Sequence, residues 1–461
     1  MRGELTTSME RKNITNTAKL VISAWNIGLF ALVWIGFYNQ FTFDRYRVSG
    51  AIVSILIYAI IYLAMCNVYK AFRIASTNIG EIVFAQIISY GTANLILYVE
   101  CCLINNNYIG IYRGLGISFL QGIGTTLIVL YTKRYFMKHV SPKDTLVIYG
   151  ESVGLQDTER FIQRLLKKYS HLYAINSIIS VTESEQKLDD LITKSHTVIL
   201  YEISAEKRGA LLKKCSEQRK RFYYTPNIED MICQGSSYKY LLDTPLMKYE
   251  YKYDNYHEYG AKRAFDIVFS LFMLILCSPI IGVTALCIKL EDKGPVFYHQ
   301  LRCTKDGRPF WIIKFRSMVV DAEQRGVSPC VGDDPRITKV GKIIRRSRID
   351  ELPQLINILL GDMSFVGPRP ERIEHVEKYT REMPEFSYRM RVKGGLTGYA
   401  QIYGKYNTSA YDKLRLDLMY IENQSFLVDL KIIMLTLRTI FQKESTEGFS
   451  LQKRDEMRDR I

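Results

Sequence analysis

Apolar residues are concentrated in four uncharged runs near the start of the chain. The runs cover residues 20–38, 48–69, 82–99 and 114–131. Each run approaches or exceeds the roughly 20 residues that a helix needs to cross the hydrocarbon core of a bilayer. Buried helices of a soluble bundle, the alternative, usually include charged residues over such lengths. The pattern therefore predicts four N-terminal transmembrane helices in a domain that covers residues 1–140.

The basic residues around these runs predict the orientation of the helices. Cytoplasmic loops carry an excess of lysine and arginine. The segments before the first run, between the second and third, and after the fourth contain Arg2, Arg11, Lys12, Lys19, Lys70, Arg73, Lys133, Arg134 and Lys138. The opposite loops contain Arg45, Arg47 and Arg113. We therefore expect the N-terminus and everything after residue 133 to face the cytoplasm. We expect no cleaved signal peptide, because the first run starts only at Leu20.

Beyond residue 140 the pattern changes to that of a small α/β domain. Strand-like runs at 145–150, 174–181 and 197–203 and an amphipathic helix at 157–169 predict a cytosolic Rossmann-like domain over residues 141–250. The turn from Gly150 to Gly154 lacks the G-x-G-x-x-G spacing that brings a backbone against a pyrophosphate. A structural or regulatory role is favoured, and nucleotide binding stays open. A tyrosine-rich stretch at 238–259 is predicted to be the linker to the next domain.

A fifth uncharged run, residues 267–288, has Ser278 and Pro279 at its centre. Proline removes a backbone donor and clashes with the preceding turn, so a helix bends or breaks there. A re-entrant helix over residues 264–290 would keep the following region in the cytosol, whereas a fifth span would place that region outside the cell. We expect the re-entrant helix, which anchors a mainly α-helical catalytic domain at 258–461.

The net charge of +15 raises the question of a nucleic-acid partner. A basic surface also attracts anionic lipid. Because the chain is predicted to have membrane helices, we expect membrane lipid to be its partner and expect no nucleic acid. The nine cysteines form no Cys-x-x-Cys pair, and the six histidines show no ligand spacing. The cysteines therefore indicate reduced thiols on the cytosolic side rather than disulfides, and neither residue type indicates a zinc site.

The densest candidate chemistry lies around an adjacent carboxylate pair, Asp350 and Glu351. The pair follows six basic residues and precedes a Gly-Pro-Arg-Pro turn that contains Arg369. A nucleophilic carboxylate beside cations that hold a polyanion is suited to attack a phosphate. The six basic residues are Arg336, Lys339, Lys342, Arg345, Arg346 and Arg348.

Local periodicity places further cations near this pair. Lys314 and Arg316 alternate after a Lys-Asp-Gly turn, so they should lie on one face of an extended segment. Residues 349–360 predict an apolar helix with the carboxylates near its start. Arg346 lies one helical turn before Asp350, where it can reach the same phosphate or pair with the carboxylate. Taken alone, the acidic pair is equally consistent with an ordinary helix start.

Five motifs occur in a fixed order along the chain, and together they are a more specific signal than the carboxylate pair alone. They are Ser278-Pro279, KFRSM at 314–318, RIDELPQL at 348–355, GDMSFVGPRPER at 361–372 and GLTGYAQIYG at 395–404. In this order and spacing, residues 258–445 closely resemble the bacterial sugar transferase family, the monotopic polyprenyl-phosphate phosphoglycosyl transferases. Four spans and an α/β domain ahead of that region resemble the large branch of the family. Its members initiate exopolysaccharide, capsule or O-antigen repeat units at the bacterial inner (cytoplasmic) membrane.

The resemblance implies a two-step exchange. Asp350 would attack the β-phosphate of a UDP-hexose, expel UMP and pass the sugar phosphate to undecaprenyl phosphate, with glucose the first expectation and galactose the second. Glu351 would act as a base or orient metal and lipid phosphate. Mg²⁺ is the implied cofactor, with Asp350 as its protein ligand. Residues that match phosphate-binding or acidic positions of the family are Lys314, Arg316, Arg345, Arg369 and Asp417.

Arg348 stands where many members carry serine, so a solvated side chain is expected there, and a homodimer is neither required nor excluded. A membrane-anchored nucleotide-sugar dehydratase would need a G-x-G-x-x-G loop and a Tyr-x-x-x-Lys pair, and the sequence shows neither. A non-enzymatic scaffold or regulator of polysaccharide export would have no use for the cationic site around Asp350.

Overall fold

Each of the four predicted apolar runs lies within a long helix. The structure is a computed structural model that describes residues 2–38, 47–250, 256–320, 334–404 and 408–440, so Arg45 and Cys330 lie outside the described residues. All four helices are long and apolar enough to cross a membrane. They are α1, Arg2–Val33, followed by a π-helical turn at Trp34–Tyr38, α2, Arg47–Val68, α3, Ile79–Asn105, and α4, Tyr112–His139.

Buried polar side chains connect these helices. Gln121 of α4 donates to the Tyr58 hydroxyl of α2 at 2.8 Å and to the Asn26 carbonyl of α1 at 3.0 Å. The Tyr62 hydroxyl of α2 donates to Gln86 of α3 at 2.7 Å. Hydrogen bonds between side chains contribute to helix association in lipid, where apolar contact between helices has no hydrophobic driving force. The uncharged runs therefore hold the polar groups that join one helix to the next.

The region after α4 forms a parallel sheet of four strands in the order β2-β1-β3-β4. Its elements are β1, Lys143–Tyr149, α5, Leu155–Tyr169, β2, Tyr173–Ser180, α6, Glu185–Lys194, β3, Thr197–Tyr201, α7, Ala205–Glu217, and β4, Arg221–Tyr224. The predicted order of strand, helix, strand, strand is incomplete, because it omits α6. Parallel strands need a crossover connection, and α6 supplies the one between β2 and β3.

The turn between β1 and α5 packs against the loop after β3. A Cβ atom at Gly150 would lie 1.9 Å from the carbonyl oxygen of Glu202, so this position requires glycine. Glu151 forms an ion pair with Lys207 of α7. These contacts account for Gly150 by close packing between loops, and a structural or regulatory role for the domain stays a prediction.

The chain divides into two compact units, Met1–Thr225 and Pro226–Ile461. Helix α8, Ile228–Cys233, contributes Ile228 and Met231 to the core of the second unit. The first compact unit thus ends before residue 250, where the boundary of the α/β domain stays a prediction. The stretch predicted to be a linker contains a hairpin of two antiparallel strands, β5, Ser237–Leu241, and β6, Thr244–Lys248.

The fifth apolar run lies in one long helix, α9, Tyr256–Asp292, which also has the length and composition of a membrane span. The helix continues through Ser278 and Pro279, so the predicted break in secondary structure is absent. Proline leaves the carbonyl four residues earlier without its backbone donor. The Ser278 hydroxyl donates to that carbonyl, which belongs to Ile275, at 2.8 Å. This bond explains why helical structure persists across the proline, and re-entry into the same face stays a prediction.

The rest of the second unit combines a hairpin, a two-stranded parallel sheet, six α-helices and short 3-10 helices in the residues that the structure describes. Strands β7, Phe297–Cys303, and β8, Pro309–Phe315, form the hairpin around the predicted Lys-Asp-Gly turn. There Asp306 and Gly307 have φ angles of 57° and 73°. The remaining elements are α10, Lys339–Arg346, α11, Gln354–Leu360, β9, Met363–Val366, α12, Ile373–Glu382, β10, Gly394–Thr397, α13, Tyr399–Tyr403, α14, Ala410–Glu422, and α15, Phe426–Ile440.

Candidate active site

Asp350 and Glu351 lie on a short 3-10 turn between α10 and α11. Helix α10 ends at Arg346, and Arg348 then adopts a left-handed conformation with φ 59°. The turn covers Ile349–Glu351, and α11 begins only at Gln354. The predicted continuous helix over 349–360 is therefore wrong at its start, because the left-handed residue and Pro353 separate the turn from both helices. The carboxylate pair occupies a corner instead of a helix face.

Three cations converge on one oxygen of Glu351. Arg369 donates to Oε1 at 2.5 Å, and the Lys314 and Arg348 nitrogens lie 3.5 and 3.7 Å from the same atom. The Glu351 side chain is only 12% exposed, so these charges act in a poorly solvated setting. Burial alone would raise the pKa of Glu351, but the charges of Arg369, Lys314 and Arg348 outweigh it and hold the pKa well below its usual range. Glu351 is therefore an ionised anchor for the cations.

Asp350 is in a different environment from its neighbour. Its Oδ1 atom is buried and has no hydrogen-bond partner among the described residues. Burial, and then the negative charge of Glu351, raise the pKa of Asp350 to about 6, while Lys314 and Arg345 act in the opposite direction. Burial also lowers the pKa of Lys314 to about 8. Asp350 thus presents a carboxylate oxygen that no protein donor occupies.

The predicted cations divide into two groups. Lys314 and Arg369 contact Glu351, and Arg345 lies close enough to Asp350 to lower its pKa. Arg348, expected to be solvated, also belongs to the cluster through Glu351. Its side chain is nevertheless 39% exposed, so Arg348 is partly solvated as expected and also lies near the carboxylate.

Arg316 and Arg346 do not join this group. Strand β8 ends at Phe315, and Arg316 forms an ion pair with Asp292 at the end of α9, so alternation with Lys314 does not continue. Arg346 is exposed in the last turn of α10. Its predicted spacing of one helical turn from Asp350 fails because the helix ends between the two residues. The structure therefore supports neither residue as a partner of the carboxylate pair.

Arg369 extends from a tightly held loop. The Gly367 N–H donates to the Thr397 carbonyl at 2.9 Å, and the Gly395 N–H donates to the Pro368 carbonyl at 2.8 Å. A Cβ atom at Gly367 would lie 2.4 Å from the Lys393 carbonyl oxygen, so the loop approaches β10 too closely for a side chain there. The Gly-Pro-Arg-Pro segment is thus both a rigid turn and the support of a residue in the cluster.

Asp417 is an internal ion-pair partner. It lies on α14, is 1% exposed, and its Oδ2 atom is 2.9 Å from the Arg389 guanidinium. Burial raises the pKa of Asp417 to about 6 despite the charge of Arg389. The structure gives no support to direct contact between Asp417 and phosphate. Sequence reasoning missed Arg389, because its contacts are distant in the chain and follow no periodic pattern.

No group of three or more His, Cys, Asp or Glu side chains that could hold a metal occurs in the part of the chain that the structure describes. The available protein oxygen near the cations is Oδ1 of Asp350. The site therefore offers one carboxylate to a metal, and further ligands would come from a bound diphosphate and water.

Comparison with known proteins identifies the family. The family model described as bacterial sugar transferase matches residues 257–443. An uncharacterized sugar transferase from Bacillus subtilis is 41% identical over 186 residues, which cover 40% of this chain and 90% of that protein. The chain belongs to the bacterial sugar transferase family. The matched residues include α9 after its first residue and the whole carboxylate and cation cluster, so family membership rests on the part of the chain that holds the candidate site.

Two further relatives carry specific names. A UDP-N-acetylgalactosamine-undecaprenyl-phosphate N-acetylgalactosaminephosphotransferase from Aeromonas hydrophila is 45% identical over 182 residues, or 39% of this chain. A UDP-glucose:undecaprenyl-phosphate glucose-1-phosphate transferase from Escherichia coli is 44% identical over 181 residues, or 38% of this chain. The matches cover 43% and 39% of those two proteins, so this chain aligns with less than half of each.

Proposed function

We propose that this protein transfers hexose-1-phosphate from a UDP-hexose to undecaprenyl phosphate and releases UMP, through a covalent sugar phosphate on Asp350. The observation that carries the proposal is the unequal environment of the two adjacent carboxylates. Glu351 is occupied by three cations, whereas Oδ1 of Asp350 is buried without a hydrogen-bond partner among the described residues. A nucleophile must have a free electron pair, and the cations beside it can hold the phosphates.

The reaction then has two displacement steps. A carboxylate oxygen of Asp350 forms a bond to the β-phosphorus of the donor. The bond from that phosphorus to the bridging oxygen breaks, and its electron pair leaves with UMP. A phosphate oxygen of undecaprenyl phosphate next forms a bond to the same phosphorus, and the bond to Asp350 breaks. The carboxylate is regenerated, and the product is a lipid-linked diphosphate sugar.

The cations of the cluster serve this chemistry by charge and position. Lys314, Arg345, Arg348 and Arg369 surround the carboxylates, and in a poorly solvated site such groups stabilise charge that develops on phosphate oxygens. Glu351 holds Lys314, Arg348 and Arg369 through one oxygen atom. A fixed arrangement of cations needs no reorganisation during the reaction, which is the main source of electrostatic catalysis.

Mg²⁺ fits the same arrangement as a cofactor. Mg²⁺ usually binds through one or two carboxylates, several waters and substrate phosphates. The oxygen of the Asp350 carboxylate that does not attack the phosphorus can supply the protein ligand, and the donor diphosphate can supply others. When bound, the ion would neutralise phosphate charge and assist departure of UMP.

The donor sugar is proposed to be a UDP-hexose. UDP-glucose is the first candidate and UDP-galactose the second. The names of the Escherichia coli and Aeromonas hydrophila relatives include glucose and N-acetylgalactosamine. A test of donors should therefore include UDP-N-acetylgalactosamine as a third compound, since sugar choice depends on the shape of a pocket.

We also infer that α9 enters and leaves the cytoplasmic face of the bacterial inner membrane. Near its start, Arg263 donates to the carbonyls of Ile358 and Leu359 at 2.6 and 2.7 Å. Near its end, Glu291 accepts a hydrogen bond from the Lys339 N–H at 2.8 Å. A straight span would carry these ends to opposite faces of a hydrocarbon core about 30 Å thick. Contacts of both ends with one unit support re-entry.

Labelling of a single cysteine at position 305 tests the topology. The Lys305→Cys variant, in a chain without the nine natural cysteines, should react with a membrane-impermeant thiol reagent only after the cytoplasmic face is opened. Reaction in intact cells, from outside, would show that α9 spans the membrane and would overturn the inferred topology.

The enzymatic proposal is tested by a search for the covalent intermediate. Purified protein is incubated with each UDP-hexose and Mg²⁺ without lipid, and peptides are analysed by mass spectrometry. We expect hexose-phosphate mass on the Asp350 peptide and stoichiometric UMP, both absent in Asp350→Asn. The matched control is Asp306→Asn, the same chemical change on the exposed turn of the β7–β8 hairpin, where asparagine tolerates the left-handed backbone. UMP release only after addition of undecaprenyl phosphate, with no adduct, would exclude Asp350 as the nucleophile.

A further inference from the structure

The backbone of Arg369 is held by a second arginine that does not touch the carboxylate pair. The Arg389 guanidinium donates through Nη2 to the Arg369 carbonyl at 2.8 Å. Arg389 lies in the 3-10 helical segment Pro384–Arg391 and is 4% exposed. A hydrogen bond from a buried charged donor is among the stronger ones in proteins. The residue that donates to Glu351 is therefore fixed at its main chain as well as at its side chain.

Two carboxylates fix Arg389 in turn. The Asp417 Oδ2 atom lies 2.9 Å from Nη2, and the Glu371 Oε1 atom lies 3.6 Å from Nη1. The Arg389 guanidinium also stacks over the Phe386 ring at 4.8 Å. Asp417 Oδ2 and Arg389 Nη1 have no hydrogen-bond partner among the described residues, so these contacts are ion pairs, and the attraction of the two carboxylate charges orients the guanidinium. Asp417 and Glu371 thus set the direction from which Arg389 reaches the Arg369 carbonyl.

The next carbonyl of the loop is held in the same way. Arg302 of β7 donates through Nη1 to the Pro370 carbonyl at 3.0 Å, and the same nitrogen lies 3.7 Å from Glu371. Glu371 therefore lies between two arginines that each bind a consecutive carbonyl of the loop. The electrostatic setting of Glu371 agrees with this: burial would raise its pKa, but nearby His375 and the charges of Arg389, Lys413 and Arg302 outweigh burial and keep the pKa well below its usual range.

We infer that Arg389, oriented by Asp417 and Glu371, is a positioning residue that places Arg369 against Glu351 for the transfer of hexose phosphate. The inference rests on the proposed function and adds a role for residues that make no contact with the carboxylate pair. It also gives Asp417 a function different from phosphate binding. A displacement of about 1 Å in a group that holds the reacting atoms can reduce a rate about 100-fold.

A double-mutant cycle separates positioning from general stability. Arg389→Lys keeps a positive charge for Asp417 and Glu371 but loses the fork that also reaches the Arg369 carbonyl. We expect a decrease in kcat of about tenfold or more, with KM for the UDP-hexose less affected. Arg369→Met removes the guanidinium that Arg389 positions. The double variant should therefore have the kcat of Arg369→Met alone, because nothing remains to be positioned. A kcat reduced by the product of the two single effects would overturn the inference.

A matched control is available in the same unit. Arg415 is 6% exposed, pairs with Asp412 at 3.1 Å and stacks on Tyr411. Arg415→Lys makes the same change at a buried, aromatic-stacked arginine whose partner, Asp412, is 53% exposed, and kcat should stay at the wild-type value. If Arg389→Lys does not fold, Asp417→Asn replaces it in the cycle, since it leaves Arg389 in place but removes the charge that orients it.

Amide hydrogen exchange distinguishes failure of this inference from failure of the proposed function. In Arg389→Lys, the peptide that contains residues 367–371 should exchange faster, while the peptides of α10 and α11 keep their wild-type rates. Unchanged exchange at 367–371 would overturn the positioning role whatever the activity. Absence of UMP release from the wild-type protein would instead overturn the proposed function. Faster exchange in the variant would then still show that Arg389 holds the loop at residues 367–371 in place.

Discussion

The Arg369 guanidinium donates to Glu351 at 2.5 Å and leaves the adjacent Asp350 oxygen without a partner among the described residues. Two carboxylates that are neighbours in sequence therefore have opposite electrostatic environments. Glu351 is kept ionised by cations, whereas burial and the charge of Glu351 raise the pKa of Asp350 to about 6. Pairs of titratable groups with diverging environments commonly divide the roles of a catalytic site between them.

Replacement of Glu351 tests this division of roles. In Glu351→Gln, the cations Lys314, Arg348 and Arg369 lose the charge that gathers them and can turn toward Asp350. We expect kcat for UMP release to fall about 100-fold, the usual size of an effect on preorganised electrostatics. Glu374→Gln, the same change at an exposed position of α12, should retain wild-type kcat. A Glu351→Gln enzyme as active as the control would show that Glu351 does not organise the site.

The sequence predicted those residues of the site that belong to motifs continuous in the chain. Lys314, Arg345 and Arg369 lie near the carboxylates as expected, since each belongs to a motif that is continuous in the chain. Arg316 and Arg346 do not contact the carboxylate pair, because a strand ends at Phe315 and a helix ends at Arg346. Such boundaries depend on tertiary contacts, so a pattern of spacing alone does not place them to the residue.

Other features could not be predicted because they join distant parts of the chain. Arg389 contacts Arg369 and Asp417, which are 20 and 28 residues away, through single bonds with no repeating pattern. The carbonyl that Pro279 leaves without a backbone donor accepts a hydrogen bond from one serine hydroxyl. The apolar runs were easier to assign, because a long uncharged stretch is compatible with few structures in water.

Asp266 provides a test of how α9 is attached to its unit. Its Oδ1 atom accepts hydrogen bonds from the Ser364 hydroxyl and the Phe365 N–H of β9, both at 3.1 Å, and the residue is 3% exposed. Asp266→Ala leaves two buried donors unsatisfied and should reduce the free energy of unfolding by about 3 kcal/mol. Asp266→Asn retains the Oδ1 acceptor and should cost about 1 kcal/mol.

Thermal unfolding in detergent measures both effects. Equal losses for Asp266→Ala and Asp266→Asn would indicate that the negative charge, and not the two hydrogen bonds, stabilises the attachment. A small effect of both variants would mean that packing of α9 against its neighbours is sufficient.

Ser278 and Pro279 should depend on each other energetically. Ser278→Ala removes the donor to the Ile275 carbonyl and should destabilise the protein by about 1 kcal/mol. Ser278→Ala combined with Pro279→Ala restores a backbone N–H to that carbonyl, so the double variant should recover the lost stability. Thermal unfolding of the two variants and of Pro279→Ala in the same detergent gives the comparison. A double variant less stable than Ser278→Ala would show that the proline itself is needed, for instance to bend the helix within the membrane.

Removal of metal tests the proposed use of Asp350 as a ligand. Because Glu351 is occupied by cations, Asp350 offers a single carboxylate, and Mg²⁺ should bind weakly until the donor diphosphate supplies further oxygens. Isothermal titration should therefore show tighter Mg²⁺ binding in the presence of UDP-hexose, and by linkage tighter UDP-hexose binding in the presence of Mg²⁺. Asp350→Asn should weaken this coupling, and Asp306→Asn should not. A chelator should abolish UMP release, with recovery on addition of Mg²⁺. UMP release at the wild-type rate in the chelator would show that the cations of the cluster neutralise the diphosphate without a metal.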